Sequence, residues 1–218
     1  MLINKNIEIN YSSELINYKD SISLMEERVN EIYLNKKREL IWLLNYDHIY
    51  TMGASGTEKD IRKKLDAPIF KTNRGGKITY HGPGQRIVYF LINLRDRRKD
   101  VRKFVDLIEN SAIKVLKEFD IEAKTFPDRV GIWIIKNKKD YLTKEQKIGA
   151  IGLRIKKWIT YHGLSFNINP ELKYYEKIDA CGLKNYSTTS MKSLGINISN
   201  DEFDKIYLKY FLEDLKKL

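Results

Sequence analysis

Arg74-Gly75-Gly76-Lys77-Ile78-Thr79-Tyr80-His81-Gly82-Pro83-Gly84-Gln85 holds four of the chain's 12 glycines, one of its 4 prolines and one of its 3 histidines. Apolar, strand-like sequence flanks it on both sides. Glycine tolerates positive φ and lets backbone approach a neighbour where a Cβ would clash. Gly75-Gly76 and Gly82-Pro83-Gly84 therefore predict two tight bends around a short strand, Ile78 to Tyr80, with Arg74 and His81 held at the rim of whatever the glycines make room for. A β-hairpin with a Gly-Pro turn is the plain reading of the same residues. A phosphate loop is disfavoured, because Gly76-Lys77 leads into Ile-Thr-Tyr rather than into Ser or Thr and a helix.

Working outward, Ile69 to Thr72 reads as a strand entering the glycine-rich stretch and Arg86 to Leu94 as a buried strand leaving it. Towards the N-terminus, Ile7 to Ile9 is strand-like. Leu15, Tyr18, Ile22, Met25, Val29 and Ile32 recur at helical steps after Ser12 or Ser13 as cap, Leu40 to Leu44 reads as a strand, and Ile61 to Leu65 as a short helix. Towards the C-terminus, Asp100 caps a helix whose apolar face includes Val101, Phe104, Ile108, Val115 and Phe119. Val130 to Ile135, Lys147 to Ile155 and Trp158 to Ile168 read as three strands, the first two separated by a polar loop from Asn137 to Gln146. Ser199 opens a final helix with a capping box. Strands and helices are mixed without regular alternation, which predicts an α+β fold: a mixed β-sheet with flanking helices. No linker or repeat divides the chain, so residues 1–218 are expected to form one domain.

The chain has 40 basic and 29 acidic residues, a net charge of +11, which favours acidic partners. No block of like charge and no nucleic-acid-binding signature accompanies it, so nucleic acid is not the expected partner. No apolar run approaches the ~20 residues that span a bilayer, and Met1 to Tyr11 lacks the pattern of a secretion signal, so a cytoplasmic protein without membrane contact is expected. A single cysteine excludes internal disulfides and CxxC metal sites, and histidines at 48, 81 and 162 have no metalloenzyme spacing, so no metal is expected.

Cys181, followed by glycine after a strand break, is either buried filler or a working thiol. Its candidate activators are Lys147, His81 and His162, since a neighbouring base or cation favours the thiolate. Lys147 opens Lys147-Ile148-Gly149-Ala150-Ile151-Gly152-Leu153-Arg154, where the glycines either bare one strand face to a ligand or thin the strand at a packing contact. His81 and His162 can equally be hydrogen-bonded core residues, and His48 reads as a loop or packing histidine.

Three segments together resemble the lipoyl(octanoyl) transferases of lipoate biosynthesis: Arg74 to Gln85, Lys147 to Arg154, and Tyr161-His162-Gly163-Leu164-Ser165-Phe166-Asn167 with Ala180-Cys181-Gly182-Leu183. The resemblance runs from the Trp42 strand to about Gly195 and implies a biotin/lipoate protein ligase-like fold. It further implies that Cys181 accepts an octanoyl group from octanoyl-acyl carrier protein as a thioester, that Lys147 activates the thiol and carries protons, and that no cofactor is needed. The acceptors implied are lysines of lipoyl domains in 2-oxo-acid dehydrogenase E2 subunits and in the glycine cleavage H protein, modified by a monomeric enzyme. Arg74, Gly75, Gly76, Lys77, Ile78, Thr79, Tyr80 and His81, with Ala150, Ile151, Gly152, Gly163, Leu164 and Ser165, match the acyl-binding walls. Backbone N–H groups near Gly76, Ala150 or Cys181 would then polarise the thioester carbonyl.

Two other readings compete. An ATP-dependent lipoate–protein ligase shares the implied fold, the Arg-Gly-Gly segment and a lysine matching Lys147, but has no use for a thiol. A non-catalytic basic binding module would tolerate Cys181→Ser. A papain-like hydrolase lacks its local signature here.

Overall fold

The computed structural model describes residues 7–137, 140–180 and 186–218. The chain runs β1 (Ile7–Ile16), α1 (Tyr18–Tyr33), β2 (Glu39–Tyr46), β3 (Ile49–Met52), β4 (Ile69–Lys71), β5 (Ile78–His81), β6 (Gln85–Leu91), α2 (Val101–Lys117), β7 (Ile121–Phe126), β8 (Arg129–Asn137), β9 (Asp140–Lys156), β10 (Ile159–Asn167), β11 (Ser187–Thr188) and α3 (Asn200–Leu215). The large sheet has the order β1-β2-β6-β10-β9-β8-β7, with β11 paired to β9, and a small sheet has the order β4-β3-β5. Parallel pairs (β1 with β2, β3 with β4, β9 with β11) among antiparallel ones make both sheets mixed, as expected.

Strand alternation assigns the two faces of the large sheet. Ile41, Leu43, Val88 and Phe90 point to α2 and α3 and join the largest apolar cluster with Phe104, Ile108, Val115, Phe203 and Phe211. Their neighbours Leu40, Trp42, Leu44, Ile87, Tyr89 and Leu91 point the other way, to Met25, Val29 and Ile32 of α1. The small sheet keeps its own cluster of Tyr50, Met52, Ile78, Tyr80 and Ile178.

The glycine-rich stretch is where the chain changes sheet. β5 pairs with β3, whereas β6 pairs with β2 and β10, so Gly82-Pro83-Gly84 is no hairpin turn. It is a β-turn closed by Gln85 N–H to the Gly82 carbonyl at 3.1 Å that carries the backbone across. Gln85 secures the crossing: its Nε2 donates to Asn167 Oδ1 at 2.9 Å and to the Tyr175 hydroxyl at 2.7 Å.

Several local expectations are corrected. Ser12 and Ser13 lie inside β1, and Ser12 Oγ accepts from Trp42 Nε1 at 2.9 Å; the cap of α1 is Asn17, whose side chain accepts the N–H groups of Lys19 and Asp20. Ile61 to Leu65 is not helical: Ile61 bridges Ile178, and a single 3-10 turn at Glu58–Asp60 precedes it. The polar stretch from Asn137 to Gln146 was expected to be a loop, yet β9 already begins at Asp140 and pairs with β8. β7 was not foreseen. Asp100 and Ser199 cap α2 and α3 as expected, each accepting a backbone N–H two or three residues into its helix.

Candidate active site

On the α1 face, the large sheet and the small sheet leave a cleft between them of about 510 Å³, counting its open mouth. Ile78, Thr79 and His81 of β5 form one wall; Ala150, Ile151 and Gly152 of β9 with His162 to Ser165 of β10 form the other; Arg74, Gly76 and Lys77 close one side. Three segments far apart in the sequence thus meet around one space. Register explains it: Gly163 faces Gly152 across β10 and β9 and Tyr89 across β10 and β6.

Two of the expected wall residues lie elsewhere. Tyr80 alternates to the far side of β5, where its ring stacks on Tyr174 at 4.6 Å and its hydroxyl shares a 2.7 Å hydrogen bond with His48 Nδ1. Gly75 braces the loop instead of lining the cleft: its N–H donates to the Leu153 carbonyl at 2.9 Å. A Cβ built on Gly152 would sit 2.9 Å from the Gly75 carbonyl, so glycine there serves the close approach of the loop to β9. The packing reading of that glycine therefore holds, in the very contact that forms the cleft's side.

Arg74 is 9% exposed, and its guanidinium organises the loop. It donates to the Thr51 carbonyl at 2.6 Å, the Lys77 carbonyl at 2.9 Å and the Gly75 carbonyl at 2.8 Å. His81 uses both ring nitrogens, Nδ1 with Gln85 Oε1 at 2.6 Å and Nε2 with Thr51 Oγ1 at 3.1 Å. Burial, with the Arg74 charge acting in the same direction, pushes its pKa down to about 3, so the ring is neutral near pH 7. His162 is likewise pushed down to about 3, by burial and then by Arg74. Its backbone φ is +61°, and its Nε2 is buried without a hydrogen-bond partner among the described residues. The hydroxyl of Tyr18, which also lines the cleft, is likewise buried without a partner among the described residues, so these two polar atoms are left for an occupant or a water.

The cleft continues into a smaller cavity of about 250 Å³ that shares Thr79, Ala150 and Ser165 with it and adds Lys147, Asn167, Tyr175, Ala180 and Thr188. Lys147 is 6% exposed; its Nζ donates to the Val130 carbonyl at 2.8 Å and lies 5.4 Å from the Trp133 ring centre. Cys181 lies outside the described residues, and so does Gly182-Leu183. Described residues on either side of this segment line the Lys147 cavity, and the C-terminal side is bonded to the lysine's own backbone. On one side Ala180 lines the cavity, and Asp179 N–H bonds the Asp60 carbonyl at 2.7 Å. On the other, Thr188 pairs with Lys147 in β11 and β9, and Thr189 N–H bonds the Lys147 carbonyl at 2.8 Å. Of the three candidate activators, Lys147 alone lines this cavity; His81 and His162 line the cleft.

Sequence reasoning missed Tyr18, Ile87 and Tyr89, which also line the cleft. All three were absorbed into core-facing patterns. The available signal was that odd-numbered residues of β6 point away from the helix pair, towards a face that one short helix cannot cover alone.

The comparisons with known proteins agree with this architecture. Residues 17–212 match the family model described as lipoyl protein ligase A/B catalytic domain. An octanoyltransferase of Wolbachia pipientis from Culex pipiens is 45% identical over 201 residues, covering 92% of this chain and 95% of the relative. Among solved structures, a bi-partite lipoate protein ligase from Thermoplasma acidophilum superposes with a TM-score of 0.69 at 12% identity, covering 96% of this chain and 83% of that one. The biotin protein ligase of Aquifex aeolicus, solved with biotin and ATP, reaches 0.56 at 17% identity over 98% of this chain and 71% of its own. These two share the fold expected from the sequence. With the family model spanning most of its length and a curated relative at that identity, the chain belongs to the lipoyl protein ligase A/B catalytic domain family, among its octanoyltransferases.

Proposed function

We propose that the chain moves an octanoyl group from octanoyl-acyl carrier protein through a thioester on Cys181 to a lysine of lipoyl domains, in E2 subunits of 2-oxo-acid dehydrogenases and in glycine cleavage H protein. In this reading residues 1–218 act as one catalytic domain, as a monomer in the cytoplasm and without a cofactor. The observation that carries it is the convergence on Lys147: the cleft shares three wall residues with the cavity where the lysine lies, Ala180 lines that cavity before residues 181–185, and Thr188 pairs with Lys147 after them.

In the first half-reaction the Cys181 thiolate attacks the donor's thioester carbonyl, the carbonyl electron pair moves to oxygen, and collapse expels the carrier's thiolate. Lys147 takes the Cys181 proton and returns it to the departing sulfur. In the second, the acceptor lysine's neutral amine attacks the new thioester, the C–S bond breaks, and the amine's surplus proton passes through Lys147 to Cys181. The alkyl chain would lie over Ile87 and Tyr89 and along the backbone of residues 150–152 and 163–165, opposite Thr79 and His81, with Ile78, Ile151 and Leu164 packed in the apolar clusters behind these walls; enclosure there would exclude water and orient the carbonyl towards Lys147. Thr79, Ala150 and Ser165, common to both spaces, would flank the reacting carbon.

Intact-protein mass spectrometry after mixing with octanoyl carrier protein, without ATP, tests the reading. Wild type should gain one octanoyl group and lose it on addition of a lipoyl domain, while Cys181→Ala should gain none. No adduct on wild type, with the domain acylated only when ATP and free fatty acid are supplied, would replace the transferase reading by that of a ligase.

A further inference from the structure

Glu109 is a buried carboxylic acid on α2 that the proposed chemistry leaves without a task. It is 5% exposed, on the helix that packs against β8. Its Oε1 accepts the Gly131 N–H at 3.2 Å. The carbonyl at the other end of that same peptide unit, Val130 C=O, accepts Lys147 Nζ at 2.8 Å. One peptide group thus has the carboxyl at its donor end and the amine at its acceptor end.

The backbone is shaped for this arrangement. Gly131 has φ +132°, and a Cβ there would fall 2.4 Å from Lys147 Cε and 2.8 Å from Nζ. Only glycine lets the lysine run along the Val130–Gly131 peptide. β8 is also irregular here, its register to β9 shifting between Ile132 and Trp133. Hydrogen bonds in series polarise one another: negative charge at Glu109 draws the N–H and makes the Val130 oxygen a stronger acceptor for a protonated Lys147. Two charges act on Glu109 in opposite directions, Asp106 on its own helix raising its pKa and Lys147 on β9 lowering it. Burial outweighs both and pushes the Glu109 carboxyl up to about 7. Its charge therefore changes near neutral pH.

We propose that Glu109 is a positioning residue for Lys147, acting through the Val130–Gly131 peptide to hold the amine at the reacting thiol and to match its charge to the proton it carries. The inference rests on the reading of Lys147 as the proton carrier. Glu109 itself lines neither the cleft nor the cavity.

Steady-state transfer measured from mildly acidic to mildly alkaline pH tests it with Glu109→Gln, Glu109→Asp and, separately, Lys147→Met. Glutamine keeps an oxygen for the Gly131 N–H but no charge. It should lower kcat about tenfold, leave KM for the carrier protein unchanged and remove or displace the acid limb of the profile. Aspartate keeps the charge at a longer reach and should retain the limb and recover part of the rate. A Glu109→Gln enzyme with the wild-type profile and kcat would overturn the inference, as would equal losses in both variants at every pH, the mark of a purely structural carboxyl. Transfer surviving Lys147→Met would instead remove the reading of Lys147 itself, whatever the Glu109 variants do.

Discussion

The two faces of the large sheet are built from the same strands and closed in opposite ways. Towards α2 and α3, Val88 and Phe90 meet an apolar layer; the Phe90 ring stacks on Phe211 at 4.6 Å and meets the edge of Phe104 at 6.0 Å. Towards α1, their neighbours Ile87 and Tyr89 meet a layer laced with hydroxyls: Tyr89 and Tyr46 are 2.9 Å apart at oxygen, and Tyr46 and Ser21 are 2.5 Å apart. A helix pair covers the first face fully. One helix and a small sheet share the second, and the seam between them is the cleft. A strand with period two can thus serve a dry core and a binding surface at once, because each face answers only to what covers it.

The sharpest test of this difference is a pair of truncations within β6, one on each face. Phe90→Ala removes a fully enclosed ring and should destabilise the protein by about 3–5 kcal/mol in urea unfolding. Ile87→Ala, bordering open space, should cost nearer about 2 kcal/mol and should shift acyl preference towards longer or bulkier chains. Equal losses with unchanged chain preference would mean that the two faces do not differ in kind.

The helix face also holds a buried ion pair, and it sets the next largest effect. Arg86 of β6 and Asp204 of α3 are 4% and 2% exposed at their side chains; Arg86 Nε donates to Asp204 Oδ1 at 2.9 Å, and Nη1 to Asn45 Oδ1 at 2.7 Å. Burial holds the Asp204 carboxyl above its ordinary range even against the Arg86 charge. Arg86→Met should cost about 3–5 kcal/mol by leaving that carboxyl buried alone, and Asp204→Leu added to it should recover most of the loss. A double variant no better than the single one would show that the pair contributes more than it costs to bury.

Glu109 offers a smaller effect with a definite sign. Its carboxyl is raised from 4.5 to about 7 in the folded chain. The unfolded chain therefore releases this proton first. Stability from this group falls as pH rises from the unfolded towards the folded pKa and stays low above it. Glu109→Gln should thus raise stability above neutral pH, on the order of 2–3 kcal/mol, and leave it nearly unchanged below about pH 4.5. A gain of the same size at both ends, read by thermal melts across pH, would deny the buried acid its raised pKa.

What the sequence disclosed divides along the same lines. Caps and single-face patterns are local, so Asp100, Ser199 and the apolar stripe of α2 were legible. Sheet membership is not local: nothing in Gly82-Pro83-Gly84 states that β5 and β6 pair with different partners. Leu15 drew the helix start too early because an apolar residue at the right step looks like a helix face, although here it is 51% exposed near the end of β1. The start of β9 carried no apolar signal, and its pairing with β8 decided its state. Residues 74, 76–79, 81, 150–152 and 163–165, grouped in advance through family resemblance, do border one cleft, while Gly75 and Tyr80 do not. Tyr18 and Tyr89 were not legible, since a cleft-lining aromatic and a core aromatic obey the same spacing. Glu109 was invisible for a related reason: it sits among apolar residues on the helix face that meets the sheet, where its task depends on a glycine in another strand.

The smallest effect on stability carries the most information about partners. Arg154 is an exposed residue of β9, opposite Tyr161 in β10, and its charge reaches His162 in the cleft wall. With a net charge of +11, the chain attracts acidic proteins from a distance, but steering requires the charge to lie near the mouth. Arg154→Ala should change unfolding free energy by less than about 0.5 kcal/mol. It should slow transfer from octanoyl carrier protein by about two- to fivefold at low salt, with the difference shrinking as salt is added, and leave a small octanoyl thioester unaffected. Equal slowing of both donors would place Arg154 in the acyl site rather than on the approach to it. No change with either donor would move the docking charge to another part of the rim, leaving the cleft face to recognise its substrates by shape alone.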